Sequence, residues 1–363
     1  MKKIRGKYNE ALVFTDFLEE MAEKQIQELC DQEFAYGSRI RIMPDTHAGA
    51  GCTIGTTMTI TDKVVPNLVG VDIGCGMLVT RLKNTVIDFA ELDCAIRTYV
   101  PSGFSIRKTA HELAKKVPIG KLCCLEHVNA ERARLSIGTL GGGNHFIEVD
   151  RDDDGVLYLV VHSGSRHLGK QIAEYYQHLA GVGKPHQSLA YLEGRAFQEY
   201  IHDMRIAQQY ADMNRQAIAK VIFRETRLIP LEQFTTVHNY IDMEAMILRK
   251  GAISANKGEK ILIPMNMRDG SILAVGRGNA EWNFSAPHGA GRLMSRRQAF
   301  RTLSMEDYRA AMTGIFTTTL TPDTLDEAPA AYKPMREILR NMQDTVEVIK
   351  ILHPVYNFKA AED

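Results

Sequence analysis

Between Ile40 and Thr80, short β-prone runs (Ile40 to Met43, Thr56 to Ile60, Met77 to Thr80) are separated by glycines at positions 49, 51, 55, 70, 74 and 76. A stretch punctuated this often has no room for a long helix and must build short strands joined by tight turns. In such turns glycine lets the backbone approach a ligand closely. Helical spacing is found elsewhere. Phe17, Leu18, Met21, Ile26 and Leu29 predict an amphipathic helix within Phe17 to Glu33. Phe197, Tyr200, Ile201, Met204, Tyr210, Met213 and Val221 recur every three or four residues, so Leu189 to Arg227 is expected to be a long helix whose stripe is core. Val156 to Val161 predicts a buried strand, Leu262 to Val275 a strand and turn, and Met335 to Ile351 a last helix before a tail at Pro354. With no internal repeat and no low-complexity linker, the expectation is one α+β unit over 1–363, with a helical excursion at 188–228.

The chain has 363 residues, 45% of them hydrophobic, enough for a large core. Lys plus Arg and Asp plus Glu both number 44, so contact with nucleic acid has to rest on a local basic patch. Cys30, Cys52, Cys75, Cys94, Cys123 and Cys124 show no even framework spacing, and no apolar run approaches membrane-spanning length. A cytoplasmic location without membrane contact is expected.

Five segments combine glycine with His, Cys, Asp or Asn: PDTHAGAG (44–51), VDIGCGM (71–77), GGGNHFIE (141–148), VHSGSRH (161–167) and APHGAGR (286–292). His238-Asn239-Tyr240 adds a sixth without glycine. Asp72 and Cys75 offer a hard oxygen and a thiolate three residues apart, and His145, His162 and His238 supply imidazoles from distant parts of the chain. That mixture suits Mn, Zn, Fe or Co better than Mg or Ca. A thiolate can bridge, so Cys75 is able to serve two ions. The plain structural alternative is that Asp72 and Cys75 only close a tight turn. Gly164 to Lys170 resembles a phosphate loop but has Gln171 where the magnesium-binding hydroxyl belongs, and His111-Glu112 lacks the second histidine of a zinc protease helix. Cys123, Cys124 and His127 receive no role.

In their order, VDIGCG, GGGNHFIE, HSGSR and HGAGR resemble the RtcB family of RNA ligases, from about Pro44 to Lys359. The resemblance implies a complex mixed-sheet fold of the RtcB type. It also implies an enzyme that joins RNA 3′-phosphate or 2′,3′-cyclic phosphate ends to 5′-hydroxyl ends, in RNA repair or tRNA splicing, using GTP and two manganese ions (Mn2+). Carried over by residue, Asp72, Cys75, His145, His162 and His238 match the metal ligands, with Cys75 bridging. His288 matches the histidine that becomes covalently guanylylated. Asn144, Glu148, Ser271, Tyr332 and Lys359 match contacts to the guanine nucleotide, and Asp45 and His47 match an opening motif expected near the metals or the RNA end. An imidazole is a competent nucleophile toward phosphorus, and Gly289, Ala290 and Gly291 leave the nucleotide room beside the backbone. Glu148 is suited to accept the amino and imino hydrogens of guanine. Arg292, Arg296 and Arg297 are read either as phosphate contacts or as a solvated helix face.

This chain departs from the family pattern at Asn266, where Gly-Ser usually precedes the methionine, and at Pro287, His167 and Ala360. Asn266 is expected to replace the lost serine contact through its amide. The departures suggest a divergent bacterial branch with its own RNA substrate. The alternative reading is a metal-dependent RNA phosphoesterase or cyclic phosphodiesterase without guanylyl transfer, and a second is an RNA-binding module without catalysis.

Overall fold

The computed structural model describes residues 1–184 and 187–360. Two sheets organise them. A six-stranded sheet runs Lys2–Arg5, Glu10–Val13, Ile40–His47, Ile54–Thr59, Ile247–Lys250, Asn239–Asp242, and a seven-stranded sheet runs Pro230–Val237, Gly76–Leu82, Leu157–Ser163, Phe146–Arg151, Val346–Lys359, Gly270–Gly276, Lys260–Asn266. Glu10–Val13 pairs in parallel with Ile40–His47, and the remaining neighbours in both sheets are antiparallel. The architecture is α+β, as expected, and the six-stranded sheet is mixed.

Helix Gly194–Glu225 packs its buried Phe197, Tyr200, Met204, Ala207 and Tyr210 into the largest apolar cluster. Ile218, Val221 and Ile222 of its last turns meet the seven-stranded sheet at Ile147, Val149, Leu159 and Val161. The stripe expected over Leu189 to Arg227 is therefore core. The early helix is shorter than expected, Glu20–Cys30, and its buried face is Ala22, Ile26, Leu29 and Cys30. Phe17 and Met21 stay exposed.

The last helix is a correction. Only Met335–Asn341 is helical, and Val346–Lys359 is a fourteen-residue strand between Phe146–Arg151 and Gly270–Gly276. The β-branched Val346, Val348, Ile349 and Ile351 favour that outcome. Pro354, which lacks a backbone donor, sits at a register shift in the ladder, where proline is tolerated. The buried strand begins at Leu157 rather than Val156 and continues through His162 to Ser163. No helix among the described residues is long and apolar enough to cross a membrane.

Candidate active site and metal centre

Four antiparallel neighbours of the seven-stranded sheet end at one edge. Val237 faces Gly76, Met77 faces His162, and His162 faces Phe146. Cys75, His145 and His238 are the residues just outside those strand ends, and His162 lies just inside its own. Four groups from distant parts of the sequence therefore converge because the strands are in register. Cys75 Sγ lies 3.5 Å from His145 Nε2 and 3.3 Å from His162 Nε2, and Asp72 Oδ2 lies 2.9 Å from His145 Nε2. Two triplets, Asp72–Cys75–His145 and Cys75–His162–His238, each bring their ligand atoms within 4.8 Å, and Cys75 is common to both.

The turn at Asp72 is held from behind. Ser165 N donates to Asp72 Oδ1 at 3.0 Å, and a Cβ at Gly164 would overlap that carboxylate. The segment that resembled a phosphate loop thus acts as the seat of Asp72. Asn214 Nδ2 donates to Ser163 Oγ and to the Gly164 carbonyl, and the buried Arg215 donates to the carbonyls of Gly74 at 2.7 Å and Ser163 at 2.9 Å.

The donor set fits a cation. Burial holds His162 and His238 well below the usual imidazole range, so both are neutral and keep a lone pair for coordination. His162 Nδ1 donates to the Asn144 carbonyl at 3.0 Å, leaving Nε2 toward Cys75, the arrangement that orients a metal-binding imidazole. His238 Nδ1 is buried with no partner among the described residues. Burial, reinforced by Asp72, pushes the Cys75 thiol well up, so a thiolate there needs a compensating positive charge. Burial alone would raise Asp72, but its hydrogen bond to His145 and the nearby Arg166 hold it low.

His288 follows the short strand Ser285–Pro287 and sits beside this cluster, its ring centre 4.9 Å from that of His238. Its Nδ1 contacts Asp45 Oδ2 at 2.6 Å, and the same oxygen accepts from the backbone nitrogens of His288 at 3.0 Å and Gly289 at 3.2 Å. Asp45 is fully buried. It fixes the tautomer with the proton on Nδ1 and leaves Nε2 as the lone-pair nitrogen. Asp45 was expected near the metals or the RNA end, and its pairing with His288 was not read from the sequence. A Cβ at Gly291, which has φ +73°, would overlap the Asp45 backbone, so this glycine permits the approach.

From His288 a cleft extends past His47, Asn144, Glu148, Asn266, Gly289, Ala290, Gly291, Tyr332 and Lys359, all singled out in the sequence, and also past Glu327 and Asn357. Ser271 is not among its walls. It is fully buried, close to Asp150. Asn266 lines the cleft, but its amide is engaged in its own turn, donating to Asp269 at 2.9 Å and accepting from the backbone of Arg268 and Asp269. The expected replacement contact is therefore already spent internally.

Glu327 was missed because nothing in the sequence pairs it with residues so far along the chain. It is buried, accepts from Tyr332 Oη at 2.5 Å and from Arg292 Nη1 at 3.3 Å, and bonds Lys359 Nζ. Although burial opposes it, Lys359 first and then Tyr332 and Arg292 bring this carboxyl down to about 2. Arg292 and Arg296 reach the cleft, and Arg296 lies 3.8 Å from Glu327. Arg297 is exposed on its helix and is not among the cleft walls. Glu148 accepts from Asn357 Nδ2 at 2.6 Å, and burial with the neighbouring Asp150 pushes its carboxyl well above the usual range. The group Cys123, His202 and Asp203 lies elsewhere, and its carboxylate already accepts from the Cys123 and Cys124 backbone and from Tyr176 Oη.

The chain is similar to known proteins over most of its length. The family model described as tRNA-splicing ligase RtcB matches residues 25–125 and 119–360. The RNA-splicing ligase RtcB of Escherichia coli K12 is 32% identical, covering 92% of this chain and 93% of that protein. The tRNA-splicing ligase RtcB of Aeropyrum pernix is 28% identical, with 82% of each chain covered. The RNA-splicing ligase RtcB of Mycobacterium bovis is 29% identical, over 82% of this chain and 90% of that one.

Proposed function

The chain belongs to the RtcB family of RNA ligases, and on that premise we propose that it joins an RNA 3′-phosphate or 2′,3′-cyclic phosphate end to a 5′-hydroxyl end, using GTP and a histidine-bound GMP. The observation that carries the proposal is the placing of His288: oriented by Asp45, open to the cleft, and next to the Cys75-centred cluster. Asp72, Cys75 and His145 would hold one manganese ion and Cys75, His162 and His238 a second. Manganese bound there supplies charge neutralisation for phosphate oxygens.

His288 Nε2 attacks the α-phosphorus of GTP; the N–P bond forms, the α–β phosphoanhydride P–O bond breaks and pyrophosphate leaves. As Nε2 bonds to phosphorus the ring gains positive charge, which the buried Asp45 carboxylate balances. A cyclic phosphate is opened by water to a 3′-phosphate. An oxygen of that phosphate then attacks the GMP phosphorus and frees His288. Finally the 5′-hydroxyl oxygen attacks the RNA 3′-phosphorus and loses its proton while GMP leaves, an in-line displacement.

For the base, Glu148 is the acceptor of the guanine hydrogens. Asn357 fixes the orientation of its carboxyl. Tyr332 and Lys359, tied together by Glu327, line the same cleft. The test is incubation with α-labelled GTP and manganese, followed by denaturation. Label that is acid-labile and absent from His288→Ala supports the proposal. Absence of label in the wild type with every divalent metal tried rejects it in favour of a phosphoesterase.

A further inference from the structure

Lys333 is buried and stands directly after Tyr332 of the cleft, without being among the cleft walls itself. A lysine is seldom buried unless its ammonium is engaged. Here Nζ donates to the carbonyl of Pro44 at 3.1 Å and to that of Thr46 at 2.8 Å, the two carbonyls on either side of Asp45. The Lys333 backbone nitrogen donates to the Gly291 carbonyl at 3.0 Å, in the loop that follows His288. Leu293 N donates to the Ala331 carbonyl at 2.8 Å, and Arg292 forms an antiparallel bridge with Tyr332, so the chain at Lys333 runs alongside that loop. One residue thus ties both halves of the Asp45–His288 pair, its main chain to the loop of the histidine and its ammonium to the strand of the aspartate.

Asp45 depends on such support. Its Oδ2 faces His288 Nδ1 and the backbone nitrogens of His288 and Gly289, while its Oδ1 is buried with no hydrogen-bond partner among the described residues. The aim of Oδ2 therefore rests on how the backbone at Asp45 is held. Burial pulls the Lys333 ammonium below the usual lysine range, and the charge that most opposes this is that of Asp45. We propose that Lys333 is a positioning residue for the guanylylation of His288: it fixes the backbone on both sides of Asp45, so that Oδ2 holds the imidazole ring in line with the α-phosphorus of GTP. The step it serves rests on the ligase reading given above. A misplacement of about 1 Å in a reacting group costs up to about a hundredfold in rate, which makes a clamp at this distance consequential.

The test follows single-turnover labelling of His288 by α-labelled GTP with manganese, over a range of GTP concentrations, in wild type, Lys333→Met, Asp45→Asn and the double variant. Lys333→Met, similar in length but uncharged, should label at least about tenfold more slowly. Half-saturating GTP should stay within about threefold of wild type, because the cleft walls are untouched. On the Asp45→Asn background the same substitution should slow labelling by less than about threefold, since the group it acts through is already disabled. Losses that multiply in full overturn the proposal. So does a rise in half-saturating GTP with the labelling rate unchanged, which would make Lys333 a support of Tyr332 instead. Joining of RNA already capped with GMP at its 3′ end bypasses attack by His288 and should be slowed less than labelling; equal slowing also overturns the proposal. If Lys333→Met does not fold, Lys333→Gln on both backgrounds gives the same comparison. If the wild type does not label at all, the ligase reading has failed by itself, and NMR of protein carrying nitrogen-15 histidine still decides the clamp. The Nδ1 proton of His288, assigned by its loss in His288→Ala, should exchange with water at least about tenfold faster in Lys333→Met. Unchanged exchange rejects the proposal.

Discussion

The pairing of Asp45 with His288 spans 243 positions of sequence, and only folding reveals it. The residue types at the centre were legible because thiolate, carboxylate and imidazole announce their chemistry wherever they stand. What each touches was not. Asp45→Asn keeps the shape but loses the carboxylate that selects the tautomer and balances the charged ring. Guanylylation of His288 in that variant is expected to fall by about a hundredfold or more, measured as the single-turnover rate of labelling; a rate within a few-fold of wild type would remove Asp45 from the account. Asp150 is equally illegible from sequence. It shares a strand face with Glu148 two residues earlier, and its carboxyl oxygens find no hydrogen-bond partner among the described residues. Burial raises it, so the folded chain retains a proton that the unfolded chain has released above the ordinary carboxylate range. The sign follows: stability from this group is full below that range and is lost as pH rises toward neutrality. Asp150→Asn should therefore match wild type near about pH 4 and exceed it near about pH 8 by at least about 1 kcal/mol in urea unfolding. The same difference at both pH values would contradict the raised Asp150 carboxyl.

Elements were read with uneven success, for physical reasons. The long helix was legible because its apolar residues repeat over many turns. Met335 to Ile351 misled because its start is helical and the next segment is apolar without clear alternation. The exposed Val348 and Ile349 of the strand there are adjacent, so the pattern of inward and outward residues is blurred. The helix stripe was correctly taken as core, yet that reading hid Asn214 and Arg215, which reach out of the same helix to hold the carbonyls around the metal centre. Arg215→Ala leaves those carbonyls of Gly74 and Ser163 without their donor and opens a cavity. A loss of about 3 kcal/mol or more is expected in denaturant unfolding. Weaker manganese binding should accompany it, read by titration of the folded variant, and unaltered stability with unaltered metal affinity would show that the clamp is incidental.

At the scale of the molecule, charge balance removes long-range attraction to RNA and leaves the work to local lining. The cleft, the histidine between it and the metal cluster, and the strand ends that bring the ligands together all serve one claim, that the phosphate in the new bond comes from the 3′ end. The most direct measurement places a radiolabel on the 3′-phosphate of one oligoribonucleotide, supplies a 5′-hydroxyl partner with GTP and manganese, and asks whether the label becomes resistant to phosphatase within a longer product. The account predicts a labelled, phosphatase-resistant junction that requires GTP and is lost in His288→Ala; label released as inorganic phosphate, or a junction formed only with a 5′-phosphorylated partner, would contradict it.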